Sequence, residues 1–284
     1  MKFSALGDIA MKLPFMRTVE KPVCIITSPL GKAFLQDEFS DFIVLKDKSV
    51  GSHIRLIREI RKRRFSDLID LQGNDRARFI SSWSGAGHIH NGYDVNSPYR
   101  PYSDMVRSIE AQINLRPVQG NKDRNYIVFN TGSSAKWSAK RPPVTKWVEF
   151  AEIVNTRFAL PIKMTGSADE VKYVNSIASR LPGDIEVVAG ETSLTGLKNL
   201  LADAFLVVST DSAALHIAAV QGTPTIGIFG STTWKGKLPY DWGKGLYDRT
   251  YYPDGNMPTC VGQIDNYYDH IDLREGLDAL KDYL

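Results

Sequence analysis

Cysteine and long apolar runs are scarce in this sequence, and their scarcity excludes several classes of protein. Only two of the 284 residues are cysteines, Cys24 and Cys260. Two are too few for a disulfide framework or a four-thiolate metal site, so we expect free thiols. No apolar stretch approaches the roughly 20 residues that a membrane-spanning helix needs, and residues 1–15 lack the ordered regions of a signal peptide. We therefore expect a cytoplasmic chain.

A large excess of charge of either sign is absent as well. The net charge of +3 and the pI near 8.7 fit a nucleotide-binding enzyme as well as a weak binder of polyanions. Within segment 53–64, basic residues stand opposite apolar residues at helical spacing: Arg55, Arg58, Arg61 and Lys62 opposite Ile54, Ile57 and Ile60. One interpretation is a solvated helix face. The other is a surface that contacts a phosphorylated acceptor or anionic lipid head groups, peripherally at the inner membrane.

Short β-branched runs alternate with segments of helical period, which predicts an α/β fold with parallel sheets. In the first half we expect strands at 23–27, 42–45 and 68–71 and helices at 8–18, 49–63, 75–84 and 102–114. Residues 116–123 contain breakers and no period, so they form the predicted linker. In the second half we expect five strands, at 127–130, 162–165, 185–188, 206–209 and 225–229. Helices are expected at 145–157, 169–181, 193–203, 212–221 and 271–280.

Such a doubly wound sheet binds ligands beyond the carboxyl ends of its strands. Strand 127–130 is followed by small residues that bring backbone amides and hydroxyls close to a ligand, namely Thr131, Gly132, Ser133 and Ser134. Lys140 then follows as a counter-charge for phosphate. A plain turn with a surface lysine is the alternative.

Strand 206–209 delivers Asp211 and Ser212 to the start of a helix, where orphan amides and the helix dipole favour an anion. A helix cap explains both residues equally well. It does not explain His216, which lies about one turn deeper. A ligand-facing role and a structural role for His216 both stay open.

Residues 209–232 resemble the donor-site signature of glycosyltransferase family 9, the heptosyltransferases of lipopolysaccharide core synthesis. Three further segments agree in order and spacing. Residues 4–9 are similar to the family's amino-terminal Ser-x-Leu-Gly-Asp loop, residues 67–74 to its Asp-Leu-Gln-Gly strand end, and residues 140–143 to its Lys-x-Trp-Pro motif. The resemblance covers nearly the whole chain.

The resemblance implies a GT-B architecture of two Rossmann-like domains facing a central cleft. Residues 1–120 would bind the acceptor, 121–270 would bind the nucleotide sugar, and the helix in 271–284 would pack back on the first domain. Asp8 would be the general base. The implied acceptor contacts are Gln72, Asn74 and Arg76, and the implied donor contacts are Thr131, Ser133, Ser134, Lys140, Glu170, Thr192, Ser193, Leu194, Asp211, Ser212, Ala213 and His216.

Within that set Lys140 would bind the diphosphate, Glu170 the nucleoside, and residues 192–194 would border the adenine. Three departures from the family pattern affect these assignments. Ala213 replaces a glycine, which alters the backbone approach to phosphate, and Pro142 replaces a tryptophan beneath the donor loop. Only three residues precede the loop that carries Asp8, so we expect a frayed support for this carboxylate.

The implied reaction is an inverting transfer of heptose from ADP-heptose to a lipopolysaccharide-core or related glycan, with no obligatory cofactor. No carboxylate cluster in the sequence requires a metal. The alternatives are a GT-B-fold sugar-nucleotide epimerase and a non-catalytic nucleotide- or nucleic-acid-binding module. Nucleic acid is disfavoured as a partner because no aromatic residue interrupts the basic run before Phe65.

Overall fold

The computed structural model describes residues 1–19, 22–90, 124–235, 237–238, 240–255 and 267–284. The chain divides into two compact units, Met1–Asn114 and Leu115–Leu284. The predicted linker at 116–123 and the predicted helix at 102–114 lie outside the described residues, as does Cys260, whereas Cys24 is a free thiol. Within the described ranges no helix is long and apolar enough to cross a membrane.

The described residues of the first unit form two parallel strand pairs and four helices. Its elements in chain order are α1 (Leu6–Thr18), β1 (Ile25–Thr27), α2 (Pro29–Leu35), β2 (Phe42–Val44), α3 (Val50–Arg63), β3 (Asp67–Ile69), α4 (Asp75–Ser82) and β4 (His88–His90). Strand β1 pairs with β2, and β3 pairs with β4. The predicted strands and the helices near 8–18, 49–63 and 75–84 are therefore confirmed, whereas α2 and β4 were not predicted.

The segment that precedes Asp8 is held on both sides, so the expectation of a frayed support is wrong. The backbone N–H of Lys2 donates to the carbonyl of Ile26 in β1 (3.0 Å), and the N–H of Leu71 beyond β3 donates to the carbonyl of Met1 (3.0 Å). The Thr27 hydroxyl donates to the carbonyl of Lys2 (2.6 Å). Hydrogen bonds from distant strands therefore compensate for the shortness of this segment.

Helix α3 presents a different face to the core from the one its sequence predicts. Leu56 and Ile60 are buried, together with Ser52, and pack with Ile26 and Ile43 in the core of the unit. Ile54 was expected on the apolar face, but it is exposed. Residues 52, 56 and 60 are four positions apart and therefore lie on one face of the helix. This is the face that packs against the core.

The second unit is built on one six-stranded parallel sheet. Its strands are β5 (Ile127–Asn130), β6 (Ile162–Thr165), β7 (Ile185–Val187), β8 (Leu206–Thr210), β9 (Thr225–Phe229) and β10 (Gly243–Tyr247). They lie in the order β10-β9-β8-β5-β6-β7, so that the first strand of the unit, β5, stands between its second and its fourth. This is the Rossmann order, in which the loops after β5 and β8 meet at the point where the winding direction reverses.

Five helices cover this sheet and its buried strands. They are α5 (Val144–Phe158), α6 (Val171–Ala178), α7 (Leu194–Ala202), α8 (Ala213–Val220) and α9 (Leu273–Ala279). All five lie where the sequence predicted them. Leu273 and Leu277 of α9 are buried in the core of the second unit, and Gly276 lies against Ile226 of β9. The apolar face of α9 therefore packs against the second sheet, and its expected packing on the first domain stays a prediction.

Candidate active site

Two polar loops meet at the switch point between β5 and β8. Asn130, the last residue of β5, donates from its amide nitrogen to the Ser212 hydroxyl (2.8 Å) and lies 3.2 Å from the Ser209 hydroxyl. The Thr210 hydroxyl donates to the carbonyl of Gly132. These bonds bring the loop after β5 and the loop after β8 together, so the residues on them can act on one ligand.

Helix α8 begins at this point without a side-chain cap. Ser212 occupies the N-cap position, but its hydroxyl makes no capping bond and accepts a hydrogen bond from Asn130. The interpretation of Ser212 as a simple helix cap is therefore wrong. The first amides of a helix have no intrahelical partner and carry the positive end of its dipole. The start of α8, at Ser212 and Ala213, is consequently suited to an anion such as phosphate.

Asp211, immediately before this helix, is buried among hydrogen-bond donors. Its Oδ2 lies 2.7 Å from Lys140 Nζ and accepts from the Thr232 hydroxyl at 2.7 Å, and its Oδ1 lies 3.5 Å from His216 Nε2. Burial alone would raise the pKa of Asp211. The His216 hydrogen bond and the charges of Lys237, His216 and Lys140 outweigh burial and hold this pKa well below its usual value. Asp211 is therefore a fixed negative charge.

Lys140 is the cation of this cluster. Its ammonium also donates to the Asp211 carbonyl (3.2 Å) and lies 5.2 Å from the centre of the Trp137 ring. Trp137 thus gives Lys140 an aromatic contact, although Pro142 stands where the family motif has its tryptophan. The interpretation of Lys140 as a surface lysine on a plain turn is wrong, because its side chain is largely buried.

The three hydroxyl residues after β5 have different environments. Thr131 is fully buried, and its hydroxyl has no hydrogen-bond partner within the described residues. The Ser133 hydroxyl donates to the carbonyl of Trp137 (2.8 Å), which closes the loop. Ser134 is exposed. The Ser134 hydroxyl is therefore accessible to a ligand, the Thr131 hydroxyl is buried without a partner among the described residues, and the Ser133 hydroxyl stabilises the loop itself.

Glu170, after β6, lies beside the same loop. Its Oε2 accepts from the amide (2.9 Å) and the hydroxyl (2.8 Å) of Ser167, and its Oε1 lies 3.4 Å from Arg141. Gly132 approaches so closely that a Cβ at this position would stand 2.3 Å from Glu170 Oε1. Arg141 also donates to the Ser133 carbonyl and lies over the Tyr173 ring (4.3 Å). Burial raises the pKa of Tyr173 to about 12, so this phenol stays neutral.

Residues 192–194 lie farther along the sheet, after its edge strand β7. The Ser193 hydroxyl accepts from the amide of Gly196 (3.0 Å) and thereby caps α7, which begins at Leu194. Thr192 and Leu194 are partly buried. The structure therefore places this group beyond a carboxyl end of the same sheet, with the Ser193 hydroxyl already engaged.

The predicted base, Asp8, lies in the first turn of α1 in the first unit. Its Oδ2 accepts from the Ala5 amide (3.1 Å) and lies 3.6 Å from Lys2 Nζ. Burial lowers the pKa of Lys2, and the neighbouring carboxylate of Asp8 opposes this effect. The Asp8 side chain remains partly exposed. It is thus oriented by two contacts to one oxygen while it stays accessible.

Of the predicted acceptor residues, Gln72 lies closest to the Asp8 loop. Its Oε1 accepts from the amides of Phe3 (2.9 Å) and Ser4 (3.2 Å). Asn74 caps α4 by accepting from the amide of Ala77 (3.0 Å), and Arg76 is exposed on the same helix. Gln72 therefore joins the end of β3 to the segment that carries the candidate base.

Sequence reasoning missed three residues of these clusters. Lys2 contacts Asp8, Thr232 donates to Asp211, and Arg141 contacts Glu170. The contact of Lys2 could have been predicted, because this lysine lies only six residues before the predicted base Asp8. The resemblance at 209–232 included Thr232 but gave it no role, and Arg141 is adjacent to the predicted Lys140.

Comparisons with known proteins show the family and the fold class of the chain. The model of glycosyltransferase family 9 (heptosyltransferase) matches residues 92–244, slightly more than half of the chain. Lipooligosaccharide heptosyltransferase 2 of Haemophilus influenzae is 31% identical over 99 residues, which are 34% of this chain and 28% of that protein. The aligned part of the chain thus spans under a third of this curated relative.

Solved structures match over much more of the chain. The ADP-heptose heptosyltransferase II of Escherichia coli has a TM-score of 0.69 at 16% identity, over 100% of this chain and 98% of that one. E. coli heptosyltransferase WaaC with ADP-2-deoxy-2-fluoro heptose has a TM-score of 0.61 at 15% identity, over 86% and 92%. This likeness confirms the GT-B fold class. Since the family model covers more than half of its residues, the chain belongs to glycosyltransferase family 9, the heptosyltransferase family.

Proposed function

We propose that this protein transfers heptose from ADP-heptose to a lipopolysaccharide-core or related glycan acceptor by one inverting displacement. The observation that carries the proposal is the pairing of Lys140 with buried Asp211 beside the uncapped start of α8. This arrangement sets a cation and free amides at the switch point of a Rossmann-ordered sheet, where such folds bind nucleotides. The WaaC structure that resembles this chain contains an ADP-heptose analogue, which supports the same donor.

The proposed donor contacts follow from the positions of the loops at the carboxyl ends of the second sheet. The diphosphate binds at Ser212 and Ala213, with Lys140 as its counter-charge, and Thr131 and Ser134 belong to the loop after β5 that completes the donor site. Glu170 and residues 192–194 lie beyond the neighbouring strands β6 and β7, so they contact the nucleoside. Asp211 and His216 bind the sugar and keep the lysine in place.

In the proposed reaction the acceptor hydroxyl oxygen attacks the anomeric carbon on the face opposite the diphosphate. The bond from that carbon to the diphosphate oxygen breaks, and the diphosphate leaves with the electron pair. Asp8 takes the proton of the hydroxyl, since Lys2 and Ala5 contact only its Oδ2. Lys140 and the amides of α8 stabilise the charge that grows on the leaving group.

Replacement of the candidate base tests this chemistry. Asp8→Asn keeps the shape and removes the proton acceptor, so kcat should fall by roughly 10²-fold or more while the affinity for ADP is unchanged. Asp37→Asn is the matched control, because Asp37 is an exposed aspartate of the first unit that is not among the proposed acceptor contacts. Equal turnover of Asp8→Asn and the parent would remove Asp8 from the mechanism.

Two assays separate the transferase from its rivals. Incubation of the donor without acceptor should give no sugar-nucleotide isomer, which an epimerase would produce. A thermal-shift comparison of ADP, UDP and GDP should show the largest stabilisation with ADP, about 2.7 kcal/mol at 100 times the dissociation constant. Stabilisation by all three nucleotides without any transfer would favour a binding module.

A further inference from the structure

A cavity of about 370 Å³ opens in the second unit beside the first turn of α5 and one face of α6. This volume falls within the roughly 300–1,000 Å³ that is typical of small-molecule sites. No residue of its wall is among the proposed donor contacts. We call it the α5–α6 cavity, and its wall includes Arg141, Pro142, Val144, Tyr173, Ile177 and Arg180.

One part of this wall is a regular helical face. Tyr173 and Ile177 lie four positions apart on α6, and Arg180 follows three positions later. The turn continues past the end of the helix, because the N–H of Arg180 donates to the carbonyl of Ile177 (2.9 Å). Side chains at this spacing share one side of a helix, so a ring, an apolar side chain and a cation border the same space.

The part of the wall that precedes α5 contains a departure from the family motif. Pro142 is buried at the position where the motif has a tryptophan, and Val144, at the start of α5, is partly buried. The side chain of proline is much smaller than an indole. The substitution therefore leaves room for a ligand at this point of the wall.

The charge of the α5–α6 cavity is positive. No acidic residue lines it. The exposed guanidinium of Arg180 has no hydrogen bond or ion pair within the described residues. Arg141 is only 20% exposed, and its Nη2 makes its contacts with the Ser133 carbonyl and with Glu170. Its Nε has no partner in the described part of the chain, and neither has Nη1. A partly buried guanidinium with unpaired donors indicates an anionic partner.

We propose that the α5–α6 cavity binds a small molecule that carries a phosphate monoester group. The Tyr173 ring covers one face of the Arg141 guanidinium (4.3 Å), so the edge of this group is left to donate to phosphate in the fork geometry that arginine favours. Arg180 supplies the second positive charge. Val144 and Ile177 give the apolar part of the ligand a surface to pack on. This binding goes beyond the proposed transfer reaction and does not depend on it.

Arg141 connects this cavity with the donor site. It lies 3.4 Å from Glu170, which we propose as a nucleoside contact. A phosphate at Arg141 competes with Glu170 for the guanidinium, so occupation of the cavity should weaken ADP binding. ADP should weaken binding in the cavity by the same factor, because the coupling between two sites is reciprocal. The coupling, unlike the binding, rests on the proposed function.

Calorimetric titration of the full chain with phenyl phosphate tests the proposal. Phenyl phosphate should bind at one site and more tightly than inorganic phosphate, because its ring packs on the apolar wall, whereas phenol should not bind. Addition of ADP should raise the dissociation constant of phenyl phosphate only to a plateau. Direct competition at the donor site would raise it in proportion to the ADP concentration, without a limit.

Two variants change the cavity and leave the donor contacts intact. Arg180→Glu reverses one charge, and Pro142→Trp fills the space with the residue of the family motif. Each should raise the dissociation constant of phenyl phosphate by roughly 10-fold or more and should keep the parent's stabilisation by ADP, which shows that the variant is folded. Lys172→Glu is the matched control, since Lys172 is exposed on the same helix and does not line the cavity. Lys140→Met should do the reverse, losing ADP affinity and binding phenyl phosphate like the parent.

The outcomes separate this site from the proposed donor site. Parent-like binding of phenyl phosphate by Arg180→Glu or Pro142→Trp, or equal binding of phenol, would overturn the proposal. Competition with ADP that reaches no plateau would assign the anion to the donor site and overturn it as well. An affinity for phenyl phosphate that ADP leaves unchanged would refute the coupling through Arg141. Failure of the parent to bind ADP would refute the proposed function, whereas binding of phenyl phosphate that depends on Arg180 would still support the cavity.

Discussion

The pairing of Lys140 with Asp211 gives the sharpest prediction about the donor site. Lys140→Met keeps most of the side-chain volume and removes the charge. A hydrogen bond to a charged group contributes about 1.5–3 kcal/mol, or roughly 10- to 150-fold in a binding constant. The Lys140 side chain is only 17% exposed, so solvent screens little of this contribution. We expect the affinity for ADP to fall by that factor, as measured by calorimetry.

The same change should reduce kcat/KM by more than it reduces ADP affinity. Negative charge grows on the diphosphate as the glycosidic bond breaks, so an electrostatic contact is stronger in the transition state than in the ground state. Lys136→Met is the matched control, since Lys136 lies in the same short 3-10 helix as Lys140 (Ala135–Lys140) but is exposed. It should leave both quantities unchanged.

A structural role of Lys140 must be separated from a direct one. Loss of the ammonium leaves Asp211 buried with Thr232 and His216 as its remaining partners, which should destabilise the fold by about 1–3 kcal/mol. The double variant Lys140→Met with Asp211→Asn removes both charges and should recover the melting temperature without recovering ADP affinity. Recovery of both, or parent-like ADP binding by Lys140→Met, would refute the assignment of the diphosphate to this loop.

Three further predictions concern the surroundings of this cluster. Asp211→Asn should be less stable than the parent at neutral pH. Because the pKa of Asp211 is held below its unfolded value of about 3.9, the difference in melting temperature should shrink as the pH falls below about 4. Gly132→Ala should displace the Glu170 carboxylate, because its Cβ would stand 2.3 Å from Glu170 Oε1, and should therefore weaken ADP binding with little loss of stability; unchanged ADP affinity would contradict this. Tyr268→Phe removes the bond to the Ala139 carbonyl (2.6 Å) and should cost about 0.5–1.5 kcal/mol in denaturant unfolding, whereas an unchanged midpoint would show that this bond does not support Lys140.

Most of the second sheet was predictable because its strands are continuous β-branched runs. The sixth strand, β10, was missed since Gly243–Tyr247 contains two glycines and no β-branched residue. It forms because its backbone pairs with β9 and because Gly245 lies against the Trp234 side chain. Partners this distant in sequence leave no local signal.

The candidate site shows the same limit. The residues on each loop were identified from local patterns, but the contact of Lys140 with Asp211 spans 71 residues and depends on β5 lying next to β8. The support of Asp8 likewise comes from Ile26 and Leu71, so the short segment before it gave the wrong expectation. Ile54 was misplaced because two apolar faces of α3 share Ile60 and only packing decides between them.

Besides its proposed contact with the acceptor, Gln72 holds the loop that precedes Asp8, and this structural role limits which substitutions position 72 can accept. Its Oε1 already accepts two backbone amides of the loop that precedes Asp8, so only its amide nitrogen is left to recognise an acceptor. A substitution that adapts this position to a new acceptor would also have to preserve the loop that carries the candidate base. Glutamate would keep the acceptor oxygen and lose the donor, whereas shorter residues would lose both. New acceptor preferences should therefore evolve at neighbouring positions such as Arg76 rather than at Gln72.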